Sequence, residues 1–184
     1  MIIIGIDPGT VVTGYGVISI EGRSASKFRL IEFGAIAAKK MDTMPKRLAL
    51  IYTRLTKVIE RTKPDECAIE SAFYDKNVQS AMKLGQARGV AVIAAELGGI
   101  SVAEYAPKVV KKAVTGNGSA SKSQVEFMVR KLLNLDEHEK QLPDAYDALA
   151  VAVTHALRNG TNKKAATNWK QFIESNPERV KRAR

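Results

Sequence analysis

The opening run of the chain constrains the fold more than any other stretch. Ile2-Ile3-Ile4-Gly5-Ile6 has the composition of a buried strand, yet it ends on a carboxylate, Asp7, before Pro8-Gly9 turns the chain into a second apolar run. A carboxylate at the end of a buried strand is costly to desolvate unless a cation, a hydrogen-bond donor or water meets it. Asp7 therefore demands a partner.

Residues 2–7, 13–20 and 28–37 read as three strands whose short connections favour antiparallel pairing. KKMDTMP, residues 39–45, reads as a loop. Beyond it Leu48, Ile51, Tyr52, Leu55, Val58 and Ile59 recur on one helical face, and Pro64 ends that helix. A strand over Glu66 to Glu70, a helix over 77–97, a strand over 100–105 and a short helix over 107–114 follow. After GNGSAS, Ser121 and Gln124 have the spacing of a capping box for a helix with Val125, Met128, Val129, Leu132 and Leu133 inward. Pro143 suits the first turn of a last helix that should stop at Asn159-Gly160. The order βββαβαβααα is that of an α/β domain, a mixed five-stranded sheet with helices on it.

Residues 1–158 are expected to form that domain, and 159–184 a basic tail, with seven basic residues against two acidic ones from 161 onward. The whole chain of 184 residues carries 29 Lys and Arg against 19 Asp and Glu, a formal charge of +10. Such an excess favours a polyanionic partner, nucleic acid first and an anionic membrane second. No apolar run has the length of a membrane span and nothing resembling a leader precedes Gly5, so a cytoplasmic protein is expected. Cys67, in the apolar ECAIE, reads as a small core residue.

Position selects among the acids. Asp7 and Glu70 each end an apolar strand, and if those strands are parallel neighbours both emerge at one sheet edge, where α/β folds place ligands. Asp144 and Asp147 open the last helix three residues apart, so they share a face with Cα atoms rising roughly 4.5 Å. Each also has a plain structural role open to it: a turn or helix cap for Asp7 and Asp144, a helix dipole for Asp147, a lysine partner for Glu70. If the four converge, they cannot all stay charged without cations, and hard oxygen ligands select Mg²⁺ or Mn²⁺. On a basic protein this points to two-metal phosphodiester hydrolysis. His155 lies 11 residues after Asp144, about 16 Å along a helix, which puts it outside such a site. His138, in DEHEK, reads as a surface residue.

GIDPGTVVTGYGVI, AIESAFYDKNVQSAMKLGQARGVAVIAA, YAPKVVKKAVTGNGSASKSQV and DAYDALAVAVTHA, in that order over residues 1–158, resemble the RuvC family of Holliday-junction resolvases, of the RNase H-like (retroviral-integrase-like) fold. The resemblance implies a homodimer that binds a four-way DNA junction and nicks two strands of like polarity symmetrically with Mg²⁺, two ions per site. It also implies a branch-migration complex as partner and no membrane. The family's acidic tetrad falls on Asp7, Glu70, Asp144 and Asp147, its two DNA-facing lysines on Lys111 and Lys122, and its crossover aromatic on Phe73. Tyr146 departs from the small residue more usual in the family, and its ring must point away from the metals or into the DNA groove. The line Ala81, Gly85, Gly89 at spacing four suits either a two-fold interface or tight packing on the chain's own sheet.

Two other readings share features with this one. The strand-turn-strand opening also belongs to sugar-kinase and actin-like ATPases, but those need a second phosphate loop that this length does not supply. A junction-binding protein without catalysis would satisfy the charge, but would not need all four acids.

Overall fold

The computed structural model describes residues 1–21, 28–71, 78–136 and 141–162. Five strands, β1 (Ile2–Asp7), β2 (Val12–Ile20), β3 (Phe28–Ala37), β4 (Glu66–Glu70) and β5 (Ser101–Tyr105), form one sheet in the order β3-β2-β1-β4-β5. The first three pair antiparallel, as their short connections require. β1, β4 and β5 run parallel, joined through helices α1 (Met44–Thr62) and α2 (Val78–Leu97). Three further helices, α3 (Pro107–Thr115), α4 (Lys122–Leu133) and α5 (Pro143–Asn162), cover the opposite face. This mixed five-stranded sheet flanked by helices is the α/β architecture expected from the order of elements.

The strand alternation divides the interior into two cores. Ile4, Ile6, Val17, Cys67 and Ile69 point towards α1 and α2, while Ile3, Ile18 and Ala68 point towards α3, α4 and α5. Asp7, two residues after Gly5 and four after Ile3, and Glu70, two after Ala68, therefore leave the sheet on the α5 side. Cys67 is fully buried, and burial pushes its thiol up to about 12, which suits an inert core residue.

Two helix ends differ from the sequence expectation by more than one residue. α1 begins at Met44, inside KKMDTMP, because Pro45 occupies the first turn, where its missing N–H is no loss. Its other end is as expected: Lys63 adopts a left-handed conformation (φ 45°) immediately before Pro64. α5 continues past Asn159-Gly160 to Asn162. A helix already packed over several turns absorbs the roughly 1 kcal/mol that glycine costs. The capping box opening α4 is present, with Ser121 Oγ accepting from the Gln124 amide and Gln124 Oε1 accepting from the Ser121 amide at 2.8 Å. Among the described residues no helix is long and apolar enough to cross a membrane.

Candidate active site

Three glycines decide where α5 lies. A Cβ on Gly5 would stand 2.2 Å from the Ala148 carbonyl oxygen, one on Gly14 1.8 Å from that of Asp144, and one on Gly16 2.6 Å from a Leu149 methyl. α5 thus rests on the main chain of β1 and β2 with nothing between. Gly14 pairs with Asp7 across the two strands, so the helix turn that carries Asp144 sits over the strand position opposite Asp7. On the other side of β1, Ile6 pairs with Ile69 in parallel register, and the next residues, Asp7 and Glu70, emerge side by side. The turn after Asp7 is clamped by the buried Thr13, whose hydroxyl donates to the Gly9 carbonyl at 2.7 Å and accepts from the Gly9 amide at 3.2 Å.

The electrostatics record the convergence of all four acids. Asp7 is raised from 3.8 to about 8, first by burial and then by the negative charges of Glu70, Asp147 and Asp144. Glu70 is raised by burial and by Asp147, while its hydrogen bond with Asp7 and the ammonium groups of Lys122 and Lys111 pull it down. Lys122, the first residue of α4, places its Nζ 2.7 Å from Asp147 Oδ2. That hydrogen bond, followed by the charges of Asp147, Asp7 and Asp144, outweighs partial burial and holds its ammonium above the usual lysine range. Among the described residues no three His, Cys, Asp or Glu side chains already stand as a metal-ligand shell. The Lys122 ammonium offsets part of the negative charge, while burial and mutual repulsion raise both Asp7 and Glu70 above the usual carboxylate range.

Lys111, on α3 and half-buried, is near enough to Glu70 to lower its pKa, so both lysines singled out in the sequence flank the acids. Phe73 and His138 lie outside the described residues. His155 is far from the cluster, as its helical distance requires. It is buried and bonded to Glu66 Oε2 at 2.6 Å, at the start of β4, and to the Tyr105 hydroxyl at 2.7 Å. Tyr146, between the two aspartates, turns inward: it is 2% exposed and meets Phe33 edge-on with ring centroids 5.4 Å apart. Its hydroxyl accepts a hydrogen bond from Arg130 of α4, a partner that sequence reading missed. The signal available was the Glu126 to Arg130 spacing of four, which places an ion pair on α4 but says nothing of what else the guanidinium reaches.

Comparison with known proteins gives the chain's family. Residues 3–155 match the family model described as crossover junction endodeoxyribonuclease RuvC. The chain is 47% identical over 180 residues to the protein of that name from Cytophaga hutchinsonii, covering 98% of this chain and 88% of the relative. It is 51% identical over 156 residues to that from Geotalea uraniireducens, covering 85% and 88%. Among solved structures, T. thermophilus RuvC in complex with a Holliday junction substrate superposes with a TM-score of 0.80 at 35% identity, over 88% of this chain and 96% of that one. A mixed sheet with acids at its β1 and β4 ends, matched over almost its whole described length, leaves one assignment: the chain belongs to the RuvC family of crossover junction endodeoxyribonucleases.

Proposed function

We propose that the chain is a homodimeric resolvase that binds four-way DNA junctions and nicks two strands of like polarity symmetrically by Mg²⁺- or Mn²⁺-dependent phosphodiester hydrolysis. Residues 1–158 form the catalytic unit in this reading, followed by the basic tail, and the resemblance adds a branch-migration complex as partner. The observation that carries it is the group of four acids at one sheet edge, with Asp7 driven to about 8 by burial and by the other three. Hard carboxylate oxygens that repel one another, with no His or Cys in the donor set, fit hard divalent cations. Asp7, Glu70, Asp144 and Asp147 would hold two such ions. Bound there, they would ease ionisation of water at neutral pH and neutralise charge on the phosphate.

The chain's own groups do the rest. Lys122 presents its ammonium beside Asp147, where a phosphoryl oxygen gaining charge would meet it, and Lys111 does so from the Glu70 side. The formal charge of +10 favours binding of polyanionic DNA with release of counterions. Phe73 is assigned to the crossover on the resemblance, where an aromatic ring can stack on an unpaired base. A nicking assay on a synthetic four-way junction tests the function. Paired cuts are expected with Mg²⁺ and none in chelator; equal cutting of plain duplex, or no cutting in any divalent cation, would sink the reading.

Support for the dimer comes from α2. Its buried face is Ala87, Ala91, Ala94 and Ala95, while Val78, Met82, Ile93 and Leu97 are exposed. A Cβ on Gly85 or Gly89 would meet nothing within 4 Å, so the glycine line does not serve packing on the chain's own sheet. An apolar stripe with open glycines at its centre suits close approach of a second copy. Sedimentation at micromolar concentration should give a dimer, and Gly89→Arg a folded monomer. A wild-type monomer that still makes paired cuts would overturn the dimer.

A further inference from the structure

Two polar contacts join α4 to α5 beside the apolar packing of Val125, Val129 and Leu133 into their shared core, and the two differ greatly in exposure to water. At the first residue of α4, Lys122 meets Asp147 through a side chain that is 71% exposed. An ion pair so open to water does little to hold a helix in place. Arg130 lies eight residues further on, about 12 Å along the axis. Its side chain is only 21% exposed, and its three nitrogens are all engaged: Nε with Glu126 Oε1 at 3.1 Å, one terminal nitrogen with the Asp136 carbonyl at 3.0 Å, the other with the Tyr146 hydroxyl. The guanidinium carbon also stands 4.7 Å from the centroid of the Tyr146 ring. Tyr146 is itself fixed against Phe33 of β3. A charge-assisted bond to a buried phenol, with a cation–π contact added, holds far better than an exposed ion pair. The strong anchor is at Tyr146 and the weak one at Asp147, on consecutive residues of α5.

We propose that Tyr146 and Arg130 are positioning residues that deliver Lys122 to the acidic cluster. This rests on the resolvase reading for its catalytic consequence. Asp147 alone cannot do the positioning, because in that reading its carboxylate is needed by a cation and the lysine must then be held by its own helix. The capping box fixes how the chain enters α4, the apolar face of Val125, Val129 and Leu133 seats the helix in the core, and the Tyr146–Arg130 contact sets its register along α5.

Tyr146→Phe is the test, since it keeps the ring against Phe33 and removes only the hydroxyl. Single-turnover cleavage at saturating junction and Mg²⁺ is expected to fall about tenfold, with junction affinity unchanged and melting temperature lowered by only a few degrees. In a Lys122→Ala background the same substitution should change the rate less than about twofold, because nothing remains to position. A readout independent of cleavage comes from metal-free protein carrying ¹⁵N-labelled lysine. The Lys122 ammonium signal, identified by its loss in Lys122→Ala, should be protected from exchange in the wild type and lose that protection in Tyr146→Phe. Should Tyr146→Phe melt below the assay temperature, Arg130→Gln serves the same readings. Equal losses in both backgrounds, or an unaltered ammonium signal, would overturn the proposal. A wild-type protein that cuts no junction would overturn the resolvase reading instead, and the ammonium spectra would still decide the positioning.

Discussion

Asp7→Asn should abolish junction cleavage and, in chelator at pH 8, make the protein more stable than the wild type. The loss follows from the proposed role of Asp7 as a ligand to a divalent cation, since its amide would carry no charge to the ion; about 4 kcal/mol of lost stabilisation corresponds to roughly a thousandfold in rate. The gain follows from linkage. Asp7 has a folded pKa of about 8 against 3.8 in its ordinary state. Between those values the folded chain binds a proton that the unfolded chain does not, so stability of the metal-free protein falls as pH rises through the window. An amide carries no charge to desolvate, and the variant should show a flatter pH profile and a melting temperature several degrees higher at pH 8. Added Mg²⁺ should close the gap by stabilising the wild type alone. Thermal melts across pH 4 to 8, with and without Mg²⁺, check all of this. A variant that cuts at near wild-type rate would remove Asp7 from the site, and a variant less stable at pH 8 in chelator would contradict the burial of a repelled carboxylate there.

Lys122→Ala should lower single-turnover cleavage by about a hundredfold at saturating DNA. Its ammonium sits 2.7 Å from Asp147 and responds to Asp7 and Asp144 as well, so it faces the cluster and not bulk solvent alone. Oriented charge beside a phosphate contributes a few kcal/mol in the transition state, far more than it adds to the resting fold. Melting temperature should barely move. If Lys122 only supplemented the basic surface, the variant would bind less tightly and its salt dependence would drop by about one phosphate, with the saturated rate unchanged. That outcome would return it to the role of a general phosphate contact.

Much of the site was legible because its determinants are local. Strand ends can be read from apolar runs, and Asp7 and Glu70 fall at the ends of two such runs that prove parallel and adjacent. The Ser121 and Gln124 spacing gave the start of α4, and hence the setting of Lys122, to the residue. The three-residue step from Asp144 to Asp147 needed only helical periodicity. What escaped depends on contacts between distant segments. Gly14 reads as an ordinary strand glycine until the Asp144 carbonyl is found above it. Tyr146 was placed away from the metals or in the groove, and only the packing of Phe33 from β3 and Arg130 from α4 decides for the interior. Helix ends were misjudged where a weak local signal, Pro45 or Asn159-Gly160, was set against cooperative packing.

The glycine contacts divide the molecule into one part that tolerates redesign and another that does not. Because α5 rests main chain to main chain on β1 and β2 at Gly5 and Gly14, the height of its aspartates above the sheet is set by backbone contact. The core beneath α1 and α2 lies on the other face of the sheet and contributes none of the four acids. An engineer seeking a heat-resistant form should therefore repack that layer on the helix side, where Ile51, Leu55 and Val58 can be exchanged for shapes of equal volume away from the strand ends that carry the acids. Across the sheet the same freedom is missing: a single methyl on Gly5 or Gly14 would lift the helix, and the acids it carries, off its seat.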